Sequence, residues 1–313
     1  MADMIFSGVT FSGGYSISLP PPPPTGNKAI FGYGSPSTAI TNLVSNTGVV
    51  ATDTAGVGTA RFVPAAAGYG TDKAIFGYGT SDGSTVVSMT NLVSNTGVVA
   101  TDTAGVGTAR YGLAAAGYGS DKAIFGYGNN SAFLRVSMTN LVSNTGVVAT
   151  DTTGVGTARN GLAAARYGTD KAIFGYGLDS GAATAVTNLV SNTGVVATDT
   201  TGVGTARTAI AAAGYGADKA IFGYGTTSGG AGRTAITNLV SNTGVVATDT
   251  TGVGTARYGL AAAGYGSDKA IFGYGITTVR VSTTNLVSNT GVVATDTTGV
   301  GTVRQQLAAA AYG

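Results

Sequence analysis

The chain contains the same segment six times, and the order of the parts within each copy does not change. The string KAIFGYG begins at six lysines, which are all the lysines of the chain and follow one another at intervals of 45 to 50 residues. TNLVSNTGVVATDT follows each string, then GVGTAR or GVGTVR, and then an alanine-rich run such as AAAGYG. Repeats of this length are typical of solenoids and β-propellers. The six lysines are Lys28, Lys73, Lys122, Lys171, Lys219 and Lys269.

The chain begins and ends at different points of this repeat. The first copy opens at Asn27 without an alanine run before it, whereas the last copy ends in the alanine run of residues 308–313. A linear solenoid usually carries atypical polar caps at its ends. A closed ring fits this arrangement better, because the final alanine strand can pair with the first KAIFGYG strand and remove two exposed sheet edges. We therefore predict that residues 28–34 and 308–311 are hydrogen-bonded neighbours.

Each copy contains four short segments with β preference. Ile, Phe, Val and Thr favour strands, and the density of Gly, 52 residues in 313, disfavours helix. The Gly-Tyr-Gly-x-Asp and Asn-Thr-Gly segments supply the positive φ angles that tight turns need. Four strands in each copy match a propeller blade, and six blades lie within the usual range of ~4–8. The sequence thus predicts an all-β fold over residues 27–313, a six-bladed β-propeller of four-stranded blades. The alanine strand is expected to be innermost, and the C-terminal strand closes the ring on the first repeat.

The repeated unit resembles a kelch-type repeat. The resemblance lies in the order of its parts: an alanine run, the DKAIFGYG that follows it and the arginine that ends the copy. In that family an apolar strand leads into a second strand that ends in paired glycines. The resemblance covers residues 27–313 and departs from the family in lacking Trp. Copies this similar resemble the kelch-like repeat proteins of bacteriophage virions and tails. The resemblance implies a structural protein of a tail fibre, appendage or capsid, made in the host cytoplasm and located in the virion.

The six copies differ from one another mainly in two places. One is the connection between the second and third strands, and the other is the pair of residues after the closing arginine. Both connections emerge on the same side of an antiparallel blade, so we predict a variable face that contacts a host glycan, a host protein or another subunit. The alternative is that these loops have drifted because nothing constrains them. The candidate binding residues are Tyr111, Phe133, Leu134, Arg135, Arg233, Tyr258 and Arg280.

Residues 1–26 lie outside the repeat and are predicted to form an extended, proline-rich arm. Five consecutive prolines at residues 20–24 favour polyproline II, and the apolar residues before them are too few to form a core. We expect this arm to bind other virion proteins within an oligomeric assembly. The alternative is a disordered tail. The predicted assembly residues are Ile5, Phe6, Val9, Phe11 and Tyr15.

The composition argues against catalysis. The chain has no Cys or His, and all 14 acidic residues are Asp, so thiol and imidazole chemistry and Cys/His metal sites are excluded. Glycosidases need two carboxylates in different environments, whereas these aspartates recur identically. We therefore predict no enzyme activity, no catalytic residue, no cofactor and no metal. A net charge of +2 gives no field for nucleic acid, and no apolar run approaches the ~18 residues of a membrane-spanning helix.

A soluble carbohydrate-binding propeller is the alternative function. Aromatic pairs such as Phe125 and Tyr127 lie on one face of a strand, and such tyrosines, with aspartates nearby, could stack on sugars in pockets between blades. The competing interpretation is that these pairs pack between blades. For the recurring aspartates and arginines, such as Asp199 and Arg159, we predict contacts that fix each blade against its neighbour.

Overall fold

The computed structural model describes residues 27–227 and 231–313. The arm predicted over residues 1–26, with its five apolar assembly residues, lies outside the described residues. Twenty β-strands occur in the described part of the chain, which contains no helix and therefore no helix that could span a membrane. Eighteen strands form six three-stranded antiparallel sheets, and two short strands, β6 (Arg110–Tyr111) and β9 (Asn129–Asn130), form a two-stranded sheet.

Every three-stranded sheet has the same composition and strand order. The first strand is the alanine run: β3 (Ala65–Tyr69), β7 (Ala114–Tyr118), β11 (Ala163–Tyr167), β14 (Ala211–Tyr215), β17 (Ala261–Tyr265) and β20 (Ala308–Tyr312). The second strand is KAIFG: β1 (Lys28–Gly32), β4 (Lys73–Gly77), β8 (Lys122–Gly126), β12 (Lys171–Gly175), β15 (Lys219–Gly223) and β18 (Lys269–Gly273). The third strand is TNLV: β2 (Thr41–Val44), β5 (Thr90–Val93), β10 (Thr139–Val142), β13 (Thr187–Val190), β16 (Thr237–Val240) and β19 (Thr284–Val287).

The sheets are numbered here along the chain, starting from the one that joins its two ends. Sheet 1 is β20-β1-β2, sheet 2 is β3-β4-β5, and sheet 3 is β7-β8-β10. Sheet 4 is β11-β12-β13, sheet 5 is β14-β15-β16, and sheet 6 is β17-β18-β19. In sheet 1, β20 pairs with β1 from Lys28↔Tyr312 to Gly32↔Ala308, as the phase of the repeats predicts. Each first strand contacts the first strands of two other sheets, and these contacts form a closed cycle of six.

The outermost segment of each sheet differs from the predicted fourth strand. Residues 49–54 run antiparallel to β2, but only two isolated bridges join them, Val44↔Val50 and Thr41↔Thr54. The second bridge is one residue out of register with the first, so a bulge interrupts the ladder and no continuous strand forms. The same pair of bridges recurs in all six sheets. The sheets therefore have three regular strands and one bulged outer segment.

Aromatic pairs between neighbouring sheets form much of the apolar core. Phe125 of sheet 3 packs against Tyr78 of sheet 2, with ring centroids 5.1 Å apart, and both side chains are fully buried. Six such pairs complete the cycle, and Phe31 of sheet 1 against Tyr274 of sheet 6 closes it. A Cβ at Gly77 would lie 2.9 Å from Phe125 Cζ, so this close approach requires glycine. The aromatic side chains thus pack between sheets, but Phe125 and Tyr127 do not share a face as predicted. Phe125 packs toward sheet 2 and Tyr127 toward Phe174 of sheet 4, because Tyr127 follows the end of β8 with a φ of 66°.

A polar cluster recurs at each junction between sheets, and sheet 4 illustrates it. Arg159 precedes β11 and donates from one terminal nitrogen (Nη2) to Asn188 Oδ1 at 2.5 Å, and Asn188 Nδ2 donates to Asp199 Oδ1 at 2.8 Å. Asp199 Oδ2 also accepts from Thr157 Oγ1 at 2.6 Å, in the connection that arrives from sheet 3. The Arg159 guanidinium lies 4.5 Å from the ring centre of Tyr127 in sheet 3. The predicted contact between aspartate and arginine is present, since Arg159 Nη1 lies 3.9 Å from Asp199 Oδ1, and the cluster joins neighbouring sheets.

Candidate functional site

The two variable segments of the repeat lie side by side. In all six copies the residue after the closing arginine pairs with the residue after KAIFGYG, through an isolated bridge or, in sheet 3, through β6 and β9. We call the surface formed by these segments the loop face. The hairpin turns between first and second strands lie at the opposite end, with the Asn-Thr-Gly turns, on what we call the constant-turn face. The pairs on the loop face are Ser35–Gln305, Phe62–Thr80, Tyr111–Asn129, Asn160–Leu178, Thr208–Thr226 and Tyr258–Ile276.

A closed ring of backbone hydrogen bonds supports the centre of the loop face. The second residue after each closing arginine donates its N–H to the carbonyl of the equivalent residue in the preceding copy, at 2.6–3.2 Å. All six residues have positive φ angles of 50–64°, so their N–H and C=O groups point along the ring. The variable loops therefore project from a frame that neighbouring copies hold fixed. The ring residues are Val63, Gly112, Gly161, Ala209, Gly259 and Gln306.

The largest apolar group on the loop face belongs to sheet 3. The rings of Tyr111 and Phe133 meet edge to face with centroids 6.2 Å apart, and Asn129 Nδ2 donates to the Tyr111 hydroxyl at 3.0 Å. Asn130 Oδ1 accepts from the backbone N–H of Leu134 at 3.0 Å, which fixes the turn. Phe133 is 58% exposed and Leu134 is 63% exposed. Two large apolar side chains are thus presented to solvent on an ordered turn.

The predicted arginines fall in other places on the same face. The backbone of Arg135 forms an isolated β-bridge with Asn129 at the base of the turn that carries Phe133. The side-chain Nε of Arg135 is buried without a hydrogen-bond partner among the described residues. Arg233 of sheet 5 lies 5.7 Å from the ring centre of Tyr258, in the connection that enters sheet 6. Arg280 of sheet 6 donates to Ser35 Oγ of sheet 1 at 3.3 Å. The seven predicted residues therefore form three clusters, one in sheet 3 and two at junctions between sheets.

Comparison with known proteins identifies a structural likeness but no sequence family. No family model matches the chain, and no curated protein matches it. Among the solved structures that match is that of YjhT, with a TM-score of 0.65 and 14% sequence identity, covering 84% of this chain and 92% of that one. The fold is β-propeller-like. At this identity the likeness concerns the fold alone, and the kelch and bacteriophage resemblance stays a prediction.

The tyrosines that a carbohydrate-binding propeller was predicted to use are not accessible. Tyr127 is fully buried, and its hydroxyl donates to the carbonyl oxygen of Val155 at 3.1 Å. Burial raises the pKa of Tyr127 to about 12, with the Arg159 charge acting in the opposite direction. Its five equivalents are also fully buried, so none offers a ring face to a sugar.

The recurring aspartates are held in the polar clusters. Burial opposes the ionisation of Asp199, but hydrogen bonds from Thr157 and Asn188 and the charge of Arg159 together hold its pKa below the ordinary value. These carboxylates therefore stay ionised as acceptors between sheets. Within the described residues no three His, Cys, Asp or Glu side chains lie close enough together to hold a metal.

Three residues that the sequence analysis did not single out also matter. Val279, in the loop of sheet 6, is 64% exposed and places an apolar side chain at a second position on the loop face. Asn188 and its equivalents are fully buried and link arginine to aspartate, although an asparagine in TNLV looks like an ordinary strand residue. Arg166 replaces a residue that is Gly in four of the other five copies, and this single-copy departure was visible in the sequence.

Proposed function

We propose that the chain is a non-catalytic, kelch-like, six-bladed β-propeller of a bacteriophage virion, displayed on a tail fibre, appendage or capsid. Each three-stranded sheet with its bulged outer segment is one blade. The arm of residues 1–26 joins the protein to other virion proteins, and the loop face contacts a host receptor or a neighbouring subunit.

The observation that carries this proposal is the exposed apolar turn of sheet 3. Phe133 and Leu134 lie on the loop face, where the copies differ, and an ordered turn holds them beside Tyr111. Exposed apolar and aromatic groups of this kind are typical of protein interaction sites. By contrast, many of the residues that recur in every copy hold the sheets together, as the polar clusters and aromatic pairs show. A site for an asymmetric partner is therefore expected where the copies differ.

The location is tested by mass spectrometry of purified phage particles. We expect the chain in a fixed ratio to known virion proteins after repeated purification. Replacing Phe6 and Phe11 together by Asp in the full chain should reduce its incorporation, because an apolar contact of the arm would be lost. A chain found only in the host cytosol would contradict the proposal.

The binding face is tested with the purified full chain on host cells. Replacing Phe133 and Leu134 by Ser should weaken binding without lowering the melting temperature, because both side chains are more than half exposed. Val98→Ser is the matched control, since Val98 is 65% exposed in an Asn-Thr-Gly turn on the constant-turn face. Equal binding by all three proteins would argue against the loop face. Binding to a glycan array would favour the carbohydrate-binding alternative through this face instead of the buried tyrosines.

A further inference from the structure

A pocket opens on the constant-turn face at the centre of the closed cycle of first strands. Its volume is about 160 Å³, and the fourth residues of the six first strands line it. A cavity of roughly 150 Å³ accepts a molecule as small as benzene, whereas pockets for drug-sized ligands have roughly 300–1,000 Å³. A small ligand therefore fits. The six lining residues, which define the axial pocket, are Gly68, Gly117, Arg166, Gly214, Gly264 and Ala311.

Arg166 alone breaks the sixfold symmetry of this pocket with a large side chain. Ala163, Ala165 and Tyr167 of β11 are buried between sheets, so the alternation of the strand turns Arg166 toward the axis. Its side chain reaches toward sheet 3, because a Cβ built on Gly117 would lie 4.0 Å from one of its terminal nitrogens (Nη1). The small residues of the other five copies leave the remaining space open.

The guanidinium of Arg166 forms no hydrogen bond or close salt bridge with another described residue, and Asp170 acts on it only as a nearby charge. Its Nε is buried without a hydrogen bond. The nearby carboxylate of Asp170 pairs instead with Lys171, at 3.4 Å, and accepts from Asn192. Burial lowers the pKa of Arg166 to about 10, against the effect of Asp170, so the side chain still carries its charge at neutral pH. A planar cation with unused donors thus lies in a confined space.

The rim of the pocket adds positive charge. Lys73, Lys122, Lys219 and Lys269 line it, while only Asp121 and Asp268 contribute carboxylates to the lining. Each of these lysines is 2.9–3.8 Å from the aspartate that precedes it, so the rim charges are largely paired and Arg166 supplies the excess. A concave site of one net sign concentrates ligands of the opposite sign. Arginine in particular binds phosphate and carboxylate oxygens through two parallel hydrogen bonds.

We propose that the axial pocket binds a phosphate-sized oxyanion, with the unpaired Arg166 guanidinium as its ligand and the rim lysines, each paired with an aspartate, at its margin. The oxyanion is a free ion or the terminal phosphate of a small molecule. The site does not depend on the proposed virion function, because it lies on the constant-turn face.

The test is a calorimetric titration of the full chain with inorganic phosphate, and separately with glucose 6-phosphate. Arg166→Gly should weaken binding by about 10- to 100-fold, the usual effect of losing a charge-assisted hydrogen-bond donor. This variant should fold, because Gly occupies the same position in four other copies. Should its melting temperature fall, Arg166→Gln serves in its place.

Ser131→Asp is the matched control. It makes the same change in net charge as Arg166→Gly, at an exposed position on the loop face, and its affinity for phosphate should equal that of the unmodified chain. Tighter binding of glucose 6-phosphate would identify a terminal phosphate as the ligand, and binding of inorganic phosphate alone would identify the free ion. No heat of binding with either probe, or equal affinities for the unmodified chain and Arg166→Gly, would overturn the proposal.

Discussion

Closure of the ring predicts that the junction between the two ends of the chain is as stable as any other junction. Phe31 of sheet 1 is fully buried and packs on Tyr274 of sheet 6, with ring centroids 5.1 Å apart. Phe174 of sheet 4 makes the same contact with Tyr127 of sheet 3, also at 5.1 Å. If the ends are joined in solution, Phe31→Ala and Phe174→Ala should destabilise the protein equally.

The expected size of the effect follows from the burial of these rings. Replacing a fully buried Phe by Ala usually costs about 3–5 kcal/mol, since the transfer free energy and the cavity both contribute. At about 2 °C per kcal/mol for a domain of this size, each variant should melt about 6–10 °C below the unmodified chain. Phe133→Ala is the control, because that ring is 58% exposed and its loss should change stability by no more than about 0.5 kcal/mol.

The assay is denaturant unfolding and thermal melting of the three variants beside the unmodified chain. The slopes of the denaturant transitions should agree, so that midpoints measure stability alone. A cost below about 1 kcal/mol for Phe31→Ala, together with the full cost for Phe174→Ala, would refute closure. In an open chain Phe31 would have lost its partner ring and would already face solvent.

Three further predictions concern the same contacts. Asn188→Ala should lower the free energy of unfolding by about 2–4 kcal/mol, because the buried Arg159 guanidinium loses an acceptor. The control Asn192→Ala, in an exposed turn, should lower it by less than about 1 kcal/mol. Equal losses for the two variants would contradict the role of the polar cluster. Because burial raises the pKa of Tyr127 to about 12 from 10.0, the stability that the neutral ring contributes is fully present below pH 10 and lost between pH 10 and 12. Tyrosinate absorbance should therefore rise together with unfolding, and reversible ionisation of all tyrosines near pH 10 in the intact fold would be inconsistent with this burial. Deleting residues 305–313 should leave β1 unpaired and cause aggregation or a large fall in melting temperature, and an unchanged melting curve would count against the pairing of β20 with β1.

The fold could be predicted largely because six copies repeat the same information. The phase of the repeats predicted residues 28–34 and 308–311 as neighbours, which the pairing of β1 with β20 confirms, and glycines in fixed places marked the turns. The bulge in the outer segment could not be predicted, since GVVATD has the same β preference with or without a register shift. Asp199 lies in the bulged segment and accepts from Thr157 of the incoming connection, and a tertiary contact of this kind leaves no signal in the local pattern.

The candidate sites were less predictable for a similar reason. Sequence placed the variable segments on one face, but it could not show that Phe133 and Leu134 stay exposed while Arg233 and Arg280 turn toward neighbouring sheets. Whether an aromatic ring is accessible depends on the packing between sheets. Tyrosine is a residue type that can stack on sugars, but Tyr127 is fully buried in the core.

Near-identity of the copies also restricts where function can lie. A side chain that recurs six times gives a partner six equivalent contacts, and most of the recurring groups here are already used between sheets, such as Arg159 with Asn188 and Asp199. A single, unique site for a partner without sixfold symmetry is therefore expected at the departures from the repeat. These departures lie at both ends of the ring, in the Phe133 turn on the loop face and at Arg166 in the axial pocket. Because the two positions are on opposite faces, a variant at one should leave binding at the other unchanged, and the two proposals stand or fall separately.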